Sequence, residues 1–382
     1  MARNNETPIR VGLLGAGTVG SQTARLIVEQ KDELSARIGR PVELTGVACL
    51  DPKETEKFPW IDQSIVTTDT LSVATNSDIV IELIGGTTVA RKFVLAAIES
   101  GASVVTANKA LLAKYGPEIY SAAEAKGVDI YFEAAVGGAI PFLRPLRESL
   151  VGDKVTSMLG IVNGTTNYIL DEMTTKGLQF DDVLKDAQAK GYAEADPTAD
   201  VDGLDAASKI AILSSIGFAT RITTDDVHAQ GIRAISAQDI EVARKLGYAI
   251  KMLAIGHRTD SGIDVRVHPA MIPASHPLAG VSGAMNAVYV VGDAVGETMF
   301  YGAGAGAFPT ASAVVGDVLA LAEPLSVGTN PLPEPEPFKR ELAIRDIRDL
   351  STRYYVHIVP GDTGDARAVS YTHLTLPTTS RV

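Results

Sequence analysis

An α/β fold, built on a doubly wound parallel sheet and followed by an α+β domain, is predicted by three features of this sequence. Strand-like and helix-like segments alternate through residues 1–135. A glycine-rich turn joins the first of those strands to the first helix. From about residue 136 a Gly/Pro-rich junction interrupts the alternation, and a mixed pattern follows. Alternation of this kind implies parallel strands with helices on both faces.

Residues 8–14, PIRVGLL, read as a strand apolar on both faces, the kind found inside a parallel sheet. Gly15, Gly17 and Gly20 follow as G-x-G-x-x-G, and a helical pattern then runs through Ala24, Leu26, Ile27, Val28 and Leu34. A turn that closes a strand and opens a helix is the context of a Rossmann-type dinucleotide site. Gly15 permits the tight turn, Gly17 admits a pyrophosphate, and Gly20 lets helix and strand pack closely. The alternative is a glycine-rich turn of some other α/β protein. The strand at 42–50 ends at Asp51, where an acid can hold ribose hydroxyls. Asp51 lies beyond the usual spacing, so the first helix and its loop are long. Strands follow at 78–84, 102–107 and 128–135. The helices between them span 89–100, stopped by Gly101, and 108–127, with a break at Gly116-Pro117.

Ligands of such sheets sit beyond the carboxyl ends of the strands. Glu82, Thr106 with Asn108 and Lys109, and Glu133 stand there. Lys109 opens a helix, where a cation opposes the helix dipole; that favours a ligand role over an exposed surface lysine.

Residues 1–135 thus read as the dinucleotide-binding domain and 136–307 as a substrate-binding and dimerisation domain. The small-residue helix at 308–323 returns to pack on the first. A proline-rich linker covers 324–352, and RYYVHIV (353–359) begins a further strand. Within 191–209 an acid-rich loop carrying Glu194 and Asp200 feeds a helix with Asp205 and Lys209 four residues apart, on one face. This acid–lysine pair can do proton chemistry or hold an amino acid. Its plain alternative is an exposed ion pair worth about 0.3–0.5 kcal/mol.

The formal net charge of −12 argues against a nucleic-acid or anionic-membrane partner. The single cysteine, Cys49, excludes a disulfide framework within one chain. No signal-like apolar run opens the sequence, and no stretch reads as long and apolar enough to span a bilayer, so the expected location is the cytoplasm.

Six blocks carry a resemblance. TANKALLA (106–113), FEAAVGGAIPFLRPL (132–146), IVNGTTNYIL (161–170), GYAEADPTADVDGLDAASK (191–209), SHPLA (275–279) and MFYGAGAGAFPTASAVVGD (299–317) closely resemble the bacterial homoserine dehydrogenases. The match runs in order from about residue 10 to about 322. It implies interconversion of L-homoserine and L-aspartate 4-semialdehyde with NADP or NAD, in threonine, isoleucine and methionine synthesis, by a homodimer or homotetramer. Position by position, it implies Lys209 as the group that moves the hydroxyl proton, with Lys109 as its partner. Glu194, Asp205 and Asp200 match substrate-binding acids. Thr18, Val19, Gly191 and Gly302 match cofactor contacts, beside the glycines and Asp51. Glu133, with the backbone carbonyls of Val136, Gly138 and Ile140, matches a structural, sodium-like monovalent-cation site. The chemistry agrees, because a buried lysine, or one beside another cation, can transfer protons near neutral pH.

Two departures stand out. NADP-using members often carry an arginine where this chain has Leu50 before Asp51; with Lys53 and Lys57 nearby, dual cofactor use is expected. At the other end, 353–382 reads as a truncated start of a regulatory ACT domain followed by an artefactual tail, SYTHLTLPTTSRV. Threonine is then expected not to inhibit. The competing readings are another Rossmann reductase of an amino-acid semialdehyde and a non-catalytic dinucleotide sensor. A phosphorylating semialdehyde dehydrogenase needs a nucleophilic cysteine in its catalytic domain, and Cys49 stands at the cofactor strand instead. A sensor would be expected to lack one of Lys109, Lys209 and Glu194, and all three are present.

Overall fold

A computed structural model describes residues 7–329 and 341–356. The chain parts into two units, 1–347 and 348–382.

The first half alternates as the sequence predicts. Its elements are β1 (Ile9–Leu14), α1 (Thr18–Glu29), α2 (Lys31–Ile38), β2 (Val42–Ala48), β3 (Val66–Thr67), α3 (Thr70–Thr75), β4 (Ile79–Glu82), α4 (Thr88–Glu99), β5 (Ser103–Thr106), α5 (Lys109–Lys126) and β6 (Ile130–Tyr131). All six strands are parallel, in the order β3-β2-β1-β4-β5-β6. The chain reverses its winding between β1 and β4, so the ligand crevice opens beyond Leu14 and Glu82. Ile9, Val11, Leu13, Ile79 and Ile81 are buried on one face; Leu14, Val80 and Val104 belong to the core on the other.

The second half holds β7 (Val155–Ile161), α6 (Gly164–Lys176), α7 (Phe180–Ala189), α8 (Thr198–Val201), α9 (Leu204–Gly217), β8 (His228–Ala229), α10 (Ala237–Lys245), β9 (Tyr248–Thr259), β10 (Gly262–Pro273), β11 (Met285–Gly292), β12 (Gly296–Ala303) and α11 (Ala307–Ser326). Its sheet runs β12-β11-β7-β9-β10-β8, antiparallel except for the β10–β8 pair. Val80, Val104 and Leu111 share one continuous core with Met158, Ile210 and Val288, which ties the two sheets into a single unit.

Several sequence expectations are corrected here. The first helical run is two helices, broken at Gln30 and stopped by Gly39 in the left-handed region (φ 74°). The short β3 and α3 were not anticipated. The break expected at Gly116-Pro117 is absent: α5 continues through Pro117. A helical proline costs about 3 kcal/mol, and the burial of Leu111, Leu112, Ile119 and Tyr120 along the same helix offsets it. The strand expected over 128–135 ends at Tyr131, because Glu133 turns inward. Its carboxylate accepts N–H bonds from Phe142, Leu143 and Arg144 at 2.7–2.8 Å, and its own N–H donates to Asp317 at 2.8 Å.

At 20 residues, α11 is long and apolar enough to cross a membrane, contrary to the sequence expectation. Ala311, Val314, Val318 and Leu321 are nonetheless buried with Val11, Leu13 and Ile81 against the parallel sheet, as in a core helix. The stretch read as linker also has structure. The helix passes Pro324, and Ile344 bridges Ile263 at the start of β10, with Arg345 reaching Asp264 at 3.2 Å. Residues 330–340 lie outside the described residues. In the second unit the described residues 353–356 form no strand, and the remainder of the ACT-like stretch and tail, 357–382, also lies outside them.

The glycine turn is dictated by contact. A Cβ on Gly20 would stand 1.9 Å from the Gly15 carbonyl oxygen, and one on Gly15, at φ 99°, 2.6 Å from that of Leu83. Gly20→Ala is expected to lower stability by about 1–3 kcal/mol, through overpacking of the turn, and to raise the KM for the dinucleotide. Thermal unfolding and initial-rate kinetics test this, and an unchanged Tm would contradict it.

Candidate active site

Lys109 is the first residue of α5, placed by the Asn108 cap, whose side chain accepts the Leu111 N–H at 3.0 Å. Lys209 lies one turn along α9 from Asp205. The two helices bring all three together. Lys209 Nζ stands 2.6 Å from Asp205 Oδ2, and Lys109 Nζ 3.1 Å from Asp205 Oδ1. The i,i+4 pair is thus no exposed ion pair: the Lys209 and Asp205 side chains are 13% and 12% exposed, while that of Lys109 is 40% exposed. Burial alone would push the Asp205 carboxyl up. The charges of Lys209 and Lys109, with hydrogen bonds from Lys209 and Asn163, reverse this and hold it at about 2.

Lys209 Nζ also donates to the Val162 carbonyl at 2.7 Å. An ammonium has three donors, so two are fixed by the protein and one is left for a ligand oxygen. Asn163 Nδ2 bridges Asp200 Oδ1 at 2.7 Å and Asp205 Oδ2 at 2.9 Å. Glu194 is exposed, and its carboxylate makes no hydrogen bond or ion pair among the described residues.

The dinucleotide turn opens onto the same crevice. Gly17 caps α1 without a side-chain hydrogen bond, and a Cβ there would meet nothing within 4 Å. Thr18 and Val19 form the first turn of α1, whose free N–H groups can hold a pyrophosphate. Asp51 lies three residues beyond the end of β2, where it caps a short turn by accepting the Lys53 N–H at 3.0 Å, next to Leu50 at 98% exposure. Gly191 is exposed after α7 at φ 77°. Gly302 lies on β12, where a Cβ would stand 3.2 Å from Ile140 Cγ1.

The loop leaving β6 has a second character. Val136, Gly138 and Ile140 are buried, and their carbonyls accept no hydrogen bond among the described residues. The Glu133 carboxylate, by contrast, is fully engaged with backbone N–H groups. A cation at this loop would be held by main-chain oxygens and not by that carboxylate. No cluster of three or more His, Cys, Asp or Glu side chains able to hold a metal occurs among the described residues.

Comparison with known proteins decides the family. The homoserine dehydrogenase model matches residues 141–319, and the model of the homoserine dehydrogenase NAD-binding domain matches 15–133. The homoserine dehydrogenase of Corynebacterium glutamicum is 49% identical over 356 residues, covering 91% of this chain and 79% of that protein. The chain belongs to the homoserine dehydrogenase family. It is an NAD(P)-dependent oxidoreductase of amino-acid biosynthesis. The crystal structure of a homoserine dehydrogenase from Thiobacillus denitrificans, 47% identical, aligns with a TM-score of 0.80 over 86% of this chain and 75% of its own. A hyperthermophilic archaeal homoserine dehydrogenase in complex with NADPH, 25% identical, aligns at 0.68 over 82% and 97%.

The family segments contain Lys109 and the glycine turn on one side, and Lys209, Asp205, Asp200 and Glu194 on the other. Val136, Gly138 and Ile140 fall between them. Sequence reasoning passed over Asn163 and the Val162 carbonyl. Asn163 reads as a turn residue and does cap α6, accepting the Thr166 N–H at 2.9 Å. Its amide reaches α9 across 42 residues of chain, which no local pattern encodes.

Proposed function

We propose that the Lys109–Asp205–Lys209 bridge is the reaction centre for interconverting L-homoserine and L-aspartate 4-semialdehyde. The observation that carries this is the position of the bridge: a cation on the carboxyl edge of the dinucleotide sheet meets a buried acid–lysine pair of the second domain at 3.1 Å. When bound, the nicotinamide takes the hydride from the alcohol carbon or returns it to the aldehyde. Lys209, as the neutral amine, accepts the hydroxyl proton in oxidation and becomes the ammonium; in reduction the ammonium returns that proton to the forming alkoxide. Lys109 adds positive charge beside the same oxygen. Asp205 holds both lysines in place. Glu194, with its carboxylate free, and Asp200 are suited to the substrate ammonium through charge-assisted hydrogen bonds.

Gly15, Gly17, Thr18, Val19 and Gly20 would hold the pyrophosphate of NADP or NAD. The open space at Gly17 and the uncapped helix end support this fit. Asp51 favours NAD, and Lys53 and Lys57 suit a 2′-phosphate, so both cofactors are expected to serve. The test is kcat/KM for homoserine-dependent reduction of each. A preference above about a hundredfold either way would sink dual use. The unpaired carbonyls of Val136, Gly138 and Ile140, with the main chain of Glu133, support a structural monovalent cation that would fasten this loop. We place the enzyme in the cytoplasm as a homodimer or homotetramer; Met299 and Tyr301, exposed on the edge strand β12, support self-association.

A further inference from the structure

Glu82 is fully buried at the end of β4, at the winding reversal of the parallel sheet, and makes no ion pair among the described residues. A carboxylate is costly to bury unless its oxygens are satisfied. Here they accept three donors. Oε1 takes the N–H groups of Ile84 at 2.9 Å and Gly85 at 3.3 Å, and Oε2 takes the Thr106 hydroxyl at 2.7 Å. With its proton directed to Glu82, the Thr106 hydroxyl is left as an acceptor, and it receives the Asn108 N–H at 3.0 Å. Asn108 then acts twice. Its oxygen caps α5 through Leu111, and its amide donates to the Gly86 carbonyl at 2.7 Å. Gly85 and Gly86 adopt φ 79° and 68°, a left-handed pair that turns that carbonyl toward Asn108. The residue that follows Asn108 in the chain is Lys109.

We infer that Glu82 is a positioning residue for Lys109. It acts through Thr106 and Asn108 to set the first turn of α5, and so the 3.1 Å approach of Lys109 to Asp205. The inference rests on the reading of Lys109 as part of the reaction centre. A group that only accepts is needed at Glu82, because all three of its partners donate. An amide would turn a donor toward a donor, reverse or break the Thr106 link, and release the Asn108 N–H. β4 and β5 are adjacent parallel strands, so the same chain of hydrogen bonds joins the crevice edge at Glu82 to the start of α5, where Lys109 stands.

The test is a double-mutant cycle on the full chain. Glu82→Gln and Thr106→Val are each expected to lower kcat about 10–100-fold, as a displacement of about 1 Å at a reacting group does, with the KM for NADP changed less than about threefold. Combined with Lys109→Ala, each should lower kcat by less than about threefold further, because the group they position is gone. A fully structural role would instead multiply the losses in the double mutants, and that result overturns the inference. It is equally overturned if both single variants keep wild-type kcat. If Glu82→Gln does not fold, Thr106→Val, a substitution that suits a buried strand, carries the test alone. Lys109→Ala by itself separates the two readings. Wild-type kcat in that variant removes Lys109 from the reaction centre and the inference with it. A large loss there, with multiplied losses in the doubles, removes only the inference about Glu82.

Discussion

Lys209→Ala is expected to lower kcat for homoserine oxidation by about 10²–10⁴-fold, the usual contribution of a positioned proton-transfer group. The fold should survive the change, since Asp205 keeps Lys109 at 3.1 Å and Asn163 at 2.9 Å. The loss should therefore appear in kcat, with the KM for the dinucleotide little moved, because the glycine turn is untouched. Lys209→Arg sharpens the test. Arginine preserves the charge and can still reach Asp205, yet it does not give up its proton at any accessible pH. If Lys209 moves a proton, arginine fails to rescue; if it only supplies charge, arginine restores much of the rate. Initial rates of NAD(P)H formation on the wild type and both variants decide between these. Near wild-type kcat in Lys209→Ala would overturn the proton-transfer role altogether.

Much of this was legible in the sequence, for identifiable reasons. The glycine turn declares itself because backbone contact leaves no room for side chains at Gly15 and Gly20, so the chemistry of the turn is written in residue type. The pairing of Asp205 with Lys209 follows from helical spacing alone. What no spacing rule could supply is the third member, since Lys109 lies 96 residues before Asp205 and meets it only through packing of α5 on α9. The resemblance to the family supplied that partner. Asn163 escaped for the same reason. The errors in secondary structure also share a cause. Pro117 and Pro324 sit inside helices because tertiary burial outweighs the local penalty. The strand over 128–135 stops early because the carboxylate of Glu133 finds three N–H donors nine to eleven residues later. In each case a long-range contact prevailed over a local preference.

Asp205→Asn should be the most revealing single substitution, because it is read by both activity and stability. The asparagine keeps the shape and loses the charge that holds two lysines. Lys109 and Lys209 then face each other with no counter-ion between them, so kcat is expected to fall by at least about 10²-fold. The KM for homoserine should rise as well, since Asn163 Nδ2, which bridges Asp205 to Asp200, loses its charged partner and no longer fixes Asp200 for the substrate ammonium. Stability should fall in a pH-dependent way whose sign is fixed by the carboxyl, held at about 2 in the fold. A carboxyl depressed below its unfolded value of about 3.9 stabilises the fold above that value, and this contribution is lost as pH falls toward about 2. At about 1.4 kcal/mol per pH unit the contribution is on the order of 2 kcal/mol at neutral pH. The gap in unfolding free energy between wild type and Asp205→Asn should therefore be constant from pH 5 to 8. It should narrow between about pH 4 and 2, where the wild type loses the same charge. Urea unfolding across that range measures it. A gap that stays constant down to pH 2.5 would mean that Asp205 contributes through shape and not through charge, and the bridge between the two lysines would lose its physical basis.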